Sequence, residues 1–236
     1  MGNMRVPRNF SIGVQYILDE WVPPRIRDSR LLMYPPMKLL MKDATNDFMK
    51  FKNWVFRRSE KEFGNLYERT LHVQELQGET DLNQQCLEEI LKLAKNKKIL
   101  EVGCGRGLLA NSLSKNNDVT ACDIVINEGL AEKYPKVTFT EANIERLPFK
   151  DNEFDIVVTT HTLEHVRDLA TAVSEVKRVA REVVIIVVPR QRPYKYTFSL
   201  HTQFFPYEWS LESAFGYEEG KTTIKKLGDW LYVHKK

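Results

Sequence analysis

From Lys98 onward the chain alternates short apolar runs with stretches of helical spacing, and few folds accommodate that pattern. Ile99 to Val102, Val119 to Cys122, Val137 to Glu141, Asp155 to Thr159 and Val183 to Val188 read as five strands, with helices at Leu108 to Leu113 and Leu169 to Val179. Strands separated by helices need crossovers, which are right-handed and lay helices over both faces of a mostly parallel sheet. The alternation then breaks. Trp209 to Phe215 reads as a helix stopped by Gly216, and Thr222 to Leu227 and Trp230 to His234 read as strands joined at Gly228-Asp229. An antiparallel pair there completes an α/β sheet that is otherwise parallel.

A chain of 236 residues, 42% of them hydrophobic, buries enough surface to fold without disulfide staples. Disordered, collagenous and disulfide-scaffold classes are excluded. The longest apolar run, Val183 to Val188, is far short of the roughly 20 residues that cross a bilayer. Met1 to Arg8 leads into no apolar block of the kind a secretory signal carries. Cys86, Cys104 and Cys122 are odd in number and lack Cys-x-x-Cys spacing, which argues against a disulfide framework and a zinc site; with no clustered carboxylates standing out either, no metal is expected, and a reducing, cytoplasmic compartment is.

The first part of the chain is different in kind. Five of the ten prolines, Pro7, Pro23, Pro24, Pro35 and Pro36, fall within it and argue against a long regular element before residue 37. From Pro36 to Gly64 the apolar residues step by three and four, as in an amphipathic helix or helix pair. A further helix is expected from Asp81, as cap, to Asn96. The expected division is a helical extension over residues 1–80 and a domain over 81–236. Residues 1–70 hold 13 Lys and Arg against 8 Asp and Glu, a balance of +5, and the remainder is −2. That asymmetry hints weakly at an anionic partner, and a solvated helical surface is the better explanation.

Leu100 to Gly107 places Gly103, Gly105 and Gly107 at a strand-to-helix junction, where absent side chains let a ligand approach the backbone. The third glycine arrives one residue early for the dinucleotide pattern, and no Lys-Ser/Thr follows as a phosphate-cradling loop requires. Glu101 precedes the loop and Asp123 ends the next strand. Carboxylates beside such a loop suit an amino group and ribose hydroxyls and repel a pyrophosphate. S-adenosylmethionine has those features.

Residues 98–189 resemble the class I S-adenosylmethionine-dependent methyltransferases that modify small molecules, lipids and glycans. Leu100 to Gly107 matches the family's E/D-x-G-x-G-x-G motif. Asn143 to Phe149 is similar to its D-x-x-x-L-P-F segment, with Asn143 in place of Asp, and Phe154 to Val166 resembles its fourth strand and "LEHV" continuation. The resemblance implies a Rossmann-like, seven-stranded, mostly parallel sheet with helices on both faces, and an N-terminal extension that covers the site. It implies S-adenosylmethionine as cofactor, with S-adenosylhomocysteine as product. The residues it places against the cofactor are Glu101, Gly103, Cys104, Gly105 and Gly107, Asp123 and Ile124, Asn143 and Ile144, and Thr160.

Methyl transfer to a hydroxyl needs a base, and histidine titrates near neutral pH. His161, just after the fourth strand, and His201, in the loop after the fifth, are the candidates. Glu164 and His165 read better as anchors of the following helix, His72 as a packed or surface residue, and His234 as inert. Cys104 and Cys122 read as buried thiols. The aromatic run Tyr194, Tyr196, Phe198, Phe204, Phe205, Tyr207 and Trp209 reads mainly as packing.

The expected activity is therefore methyl transfer to oxygen or nitrogen of a small-molecule, lipid or glycan acceptor. Two other readings stay open: an RNA methyltransferase using the basic N-terminal part, and a non-catalytic binding subunit that keeps the fold. Oligomeric state is not legible.

Overall fold

The computed structural model describes residue 13 and residues 16–59, 62, 65, 66, 80–196 and 198–236. These divide into two units, one from Met1–Asp81 with Gln191–Phe204, the other from Leu82–Arg190 with Phe205–Lys236. The second carries the sheet. Its strands are β1 (Lys98–Val102), β2 (Asp118–Asp123), β3 (Val137–Glu141), β4 (Phe154–Thr160), β5 (Ala180–Val188), β6 (Thr222–Leu227) and β7 (Asp229–Lys235), in the order β3-β2-β1-β4-β5-β7-β6.

Strands β1 to β5 pair in parallel, and β7 runs antiparallel to both β5 and β6. Alternate residues of β5 enter opposite cores: Val184, Ile186 and Val188 pack on one face of the sheet, Ile185 and Val187 on the other. Burial on both faces is why the run is continuously apolar rather than alternating. The parallel strands deliver their carboxyl ends to one edge, and the strand order reverses between β1 and β4. In open α/β sheets that crevice is where ligands bind.

Four of the seven expected strands extend slightly at the ends, and β5 begins three residues before the expected Val183, at Ala180 directly after a helix. One cap differs from expectation. The helix after residue 80 spans Gln84–Leu93, and its cap is Asn83, whose Oδ1 accepts from the Cys86 amide at 2.9 Å. Asp81 stands outside it.

In the N-terminal unit, helix α1 (Arg30–Met41) runs through Pro35 and Pro36, contrary to the expectation of a broken segment, and α2 (Thr45–Trp54) follows after a short 3-10 turn. Tertiary burial overrides the local cost. Met33, Met37 and Met41 recur every four residues and are buried with Phe48, Phe51 and Val55. Each such burial contributes about 1.5–3 kcal/mol, so the six together outweigh the about 6 kcal/mol that two interior prolines cost at about 3 kcal/mol each. Tyr196 and Leu200 belong to the same core, so this unit takes in a segment that a boundary at residue 80 assigns elsewhere. His72 and the end of the expected 36–64 helical stretch lie outside the described residues.

Candidate active site

The loop after β1 turns on left-handed backbone at Gly103, Gly105 and Gly107, with φ of +79°, +50° and +70°. Gly103 and Cys104 both donate their amides to the Cys122 carbonyl, at 2.8 and 3.0 Å, which ties the loop to the end of β2. A Cβ on Gly103 would stand 2.0 Å from Thr162 Oγ1, whereas one on Gly105 would meet no heavy atom within 4 Å. The first glycine is thus demanded by the fold. The second keeps a backbone stretch open to whatever approaches it.

Two carboxyl groups flank this loop. Asp123 accepts from the amides of Gly105 at 2.8 Å and Ile124 at 2.7 Å. Burial pushes its carboxyl up, and these donors act against that shift. Glu101 is only 2% exposed. Burial pushes its carboxyl up to about 8, a backbone donor at Ala110 opposes the shift, and the nearby charge of Asp123 reinforces it. Among the described residues Glu101 Oε2 has no hydrogen-bond partner. A buried carboxyl oxygen without a donor is costly unless a ligand supplies one.

The segment after β3 is held by its own contacts. Asn143 Oδ1 accepts from the Glu145 amide at 2.9 Å, Glu175 accepts from the Leu147 amide at 2.8 Å, and Arg178 donates to the carbonyls of Leu147 and Phe149. One lone pair of the Asn143 carbonyl is therefore already engaged, and the amide group stands where an acceptor of two donors would otherwise be.

At the end of β4, His161 adopts φ +53° and its imidazole sits between two carboxylates: Nδ1 is 3.3 Å from Glu164 Oε1 and Nε2 is 3.5 Å from Asp229 Oδ2. Asp229 is in turn held by Asn83 Nδ2 at 2.8 Å. Asn83 thus caps a helix with one end of its amide and fixes the carboxylate facing His161 with the other. Neither Asn83 nor Asp229 stood out in the sequence, where Gly228-Asp229 reads as a turn and Asp81 as the cap.

The methyltransferase-domain family matches residues 100–188. Residues 100–188 form a class I S-adenosylmethionine-dependent methyltransferase domain. A probable S-adenosylmethionine-dependent methyltransferase of Mycobacterium tuberculosis is 33% identical over 106 residues, which cover 44% of this chain and 38% of that protein. Ajmaline N-methyltransferase of Rauvolfia serpentina is 30% identical over 144 residues, 57% of this chain and 45% of the relative. The chain spans less than half the length of either relative. A solved methyltransferase structure from Thermotoga maritima superposes with a TM-score of 0.51 at 22% identity, over 74% of this chain and 97% of that one, a likeness of fold.

Within the methyltransferase domain the residues expected at the cofactor take different places. Glu101, Gly103, Cys104, Gly105, Gly107 and Asp123 gather at the carboxyl end of β1 and β2. Ile124 follows with its side chain 48% exposed, and Thr160 ends β4. Ile144 is buried in the core with Leu147, so its side chain packs rather than faces outward. Burial pushes the thiols of Cys104 and Cys122 up, the latter to about 12. The Leu163-Glu164-His165-Val166 segment forms a turn of its own, and the cap of the following helix is Asp168, which accepts from the Thr171 amide at 3.0 Å. His234 lies on β7, its Nδ1 3.1 Å from Thr222 Oγ1.

His201 belongs to the N-terminal unit. Its Nδ1 meets Gln191 Oε1, and Gln191 donates to the Tyr194 hydroxyl. The aromatic run divides: Tyr196 and Phe198 join the N-terminal core, Phe205 the sheet core, and Tyr207 and Trp209 stack on each other with exposed rings.

Proposed function

We propose that the chain transfers a methyl group from S-adenosylmethionine to an oxygen or nitrogen of a small-molecule, lipid or glycan acceptor. The observation that carries this reading is Glu101: a buried carboxyl with an unpartnered oxygen beneath an open glycine loop matches a cationic amino group. Asp123, already oriented by two backbone amides, is suited to ribose hydroxyls. Asn143 is suited to the adenine edge through its amide.

S-adenosylmethionine supplies an activated methyl on a sulfonium centre, and S-adenosylhomocysteine is the product. The residues of the chain bind and orient, and alignment of the acceptor supplies much of the rate. His161 and His201 are the residues proposed to take a proton from a hydroxyl acceptor. The two carboxylates about His161 support a ring held in fixed orientation. Both acceptor types occur among the relatives, as an ajmaline N-methyltransferase and an O-methyltransferase.

Calorimetric titration with S-adenosylhomocysteine tests the reading. Saturable binding is expected, and Asp123→Ala is expected to weaken it by about 1–3 kcal/mol. Unchanged affinity in a folded Asp123→Ala variant overturns the assignment. Once an acceptor is found, His161→Ala and His201→Ala are each expected to lower kcat without changing S-adenosylhomocysteine affinity. A variant with the parent's rate at every pH retires that histidine as a base.

A further inference from the structure

Helix α1 is apolar on both sides. Its inner stripe is the buried Met33, Met37 and Met41, yet Leu31 and Leu39 on the other side are 84% and 78% exposed, and Leu32 and Leu40 are exposed beside them. A helix of a water-facing unit ordinarily carries polar residues there. Trp21, 74% exposed, precedes it. Burying side chains of this size from water is worth about 1.5–3 kcal/mol each, so the outer face is a large reserve of binding energy.

The charge on and before the helix is positive, and the first exposed acidic residue beyond it is Asp43. Between residues 16 and 42 the exposed charged side chains are Arg25, Arg30, Lys38 and Lys42. The acidic residues of that stretch are occupied within the unit: Asp19 is buried against Arg27 at 3.1 Å, Glu20 pairs with Arg192 at 3.2 Å, and Asp28 accepts from the Lys195 amide at 2.5 Å. Leucines, an exposed indole and an excess of cations together fit the boundary of an anionic bilayer, where apolar side chains reach the acyl region and basic ones meet headgroup phosphates. A second copy would bring the same cations face to face. A nucleic acid would leave the leucines in water.

The helix also sets the depth. Twelve residues span about 18 Å, short of the roughly 30 Å of a hydrocarbon core. Pro35 and Pro36 withhold the amides that the carbonyls of Leu31 and Leu32 would use, a deficit water meets and hydrocarbon does not. We propose that the N-terminal unit binds the surface of an anionic lipid bilayer through the outer face of α1, lying in the interface with its leucines inserted and Arg30 and Lys38 at the headgroups.

The proposal goes beyond methyl transfer and is read without turnover. The full chain is sedimented with vesicles of phosphatidylcholine alone and of phosphatidylcholine with phosphatidylserine. Binding to the phosphatidylserine vesicles is expected to be at least about tenfold tighter and to fall as salt is raised. Leu31→Gln/Leu39→Gln, at exposed positions, is expected to lose about tenfold or more with an unchanged far-ultraviolet spectrum. Arg30→Glu/Lys38→Glu is expected to remove the preference for phosphatidylserine. No binding of the parent chain to either vesicle overturns the proposal, as does binding indifferent to both double variants. A dimer in sedimentation equilibrium that the leucine variant dissolves, or RNA binding that it abolishes, also overturns it.

Discussion

The glycine loop after β1 and the helix α1 break ordinary local rules in opposite directions. The loop places three successive alternate residues in left-handed backbone, and each departure is written in the sequence as a glycine, because backbone of that kind admits little else. Helix α1 keeps regular backbone through two prolines, and nothing local announces its part before Pro36. The methionines that hold it are buried by residues far away in sequence, among them Tyr196 and Leu200. Backbone demands are legible one residue at a time; burial demands are legible only after the partner segments are known.

Substitution within the loop gives the sharpest form of this contrast. Gly103→Ala would drive a Cβ to 2.0 Å from Thr162 Oγ1 at φ +79°, while Gly105→Ala at φ +50° meets open space. The second carries only left-handed strain, about 1–2 kcal/mol. The first adds an overlap with a side chain that already contacts the Val102 and Thr160 carbonyls, and is expected to cost more than about 4 kcal/mol. Urea unfolding of the two variants measures the gap. Equal stabilities would mean that Thr162 yields freely and that the loop is not fixed by its neighbours.

Truncation in the helix tests the other side. Met37 is fully buried at the centre of the stripe, and Met37→Ala is expected to cost about 2–5 kcal/mol. Hydrogen exchange should show that loss in α1 and α2, with the amides of β4 and β5 unchanged. A loss spread evenly over both units would show that α1 and the sheet unfold as one, and would remove the distinction drawn here.

The same difference explains what the sequence disclosed. All seven strands were legible: runs buried on both faces, such as Val184 to Val188, are continuously apolar, and the half-exposed edge strands β3 and β6 are short β-branched runs bounded by turns. Of the candidate site, the left-handed glycines were legible because that backbone restricts their type. Asn83 and Asp229 were not. Each is an ordinary cap or turn residue in isolation, and only the pairing of β7 with β5 and the docking of the preceding helix bring them to His161. Ile144, next to Asn143 in the turn after β3, has its side chain in the core. The half of helix α1 before Pro36 was illegible because prolines are strong local signals, whereas its later turns carry apolar spacing that the sequence shows.

The smallest expected effect concerns Glu101, the β1 residue beneath the loop, whose chemistry, rather than shape, departs from the ordinary. The Glu101 carboxyl, pushed up to about 8 by burial with the Asp123 charge adding to the shift, holds a proton in the folded chain at neutral pH. A cationic amino group binds best to the ionised form, so S-adenosylhomocysteine affinity is expected to rise with pH, by up to about tenfold per unit, and to level off above 8. Titrations in buffers of different ionisation enthalpy should register a released proton at pH 7. The sign for folding is opposite: the folded chain keeps a proton that the unfolded chain loses near 4.5, so this group makes stability fall as pH rises from about 4.5 to 8. Glu101→Gln should therefore flatten both profiles, weakening the ligand while raising Tm at pH 8 by about 2–4 °C for each kcal/mol recovered. An affinity that stays level from pH 6 to 8 in the parent chain would place the ligand's charge elsewhere, and the loop would then be a site of shape alone.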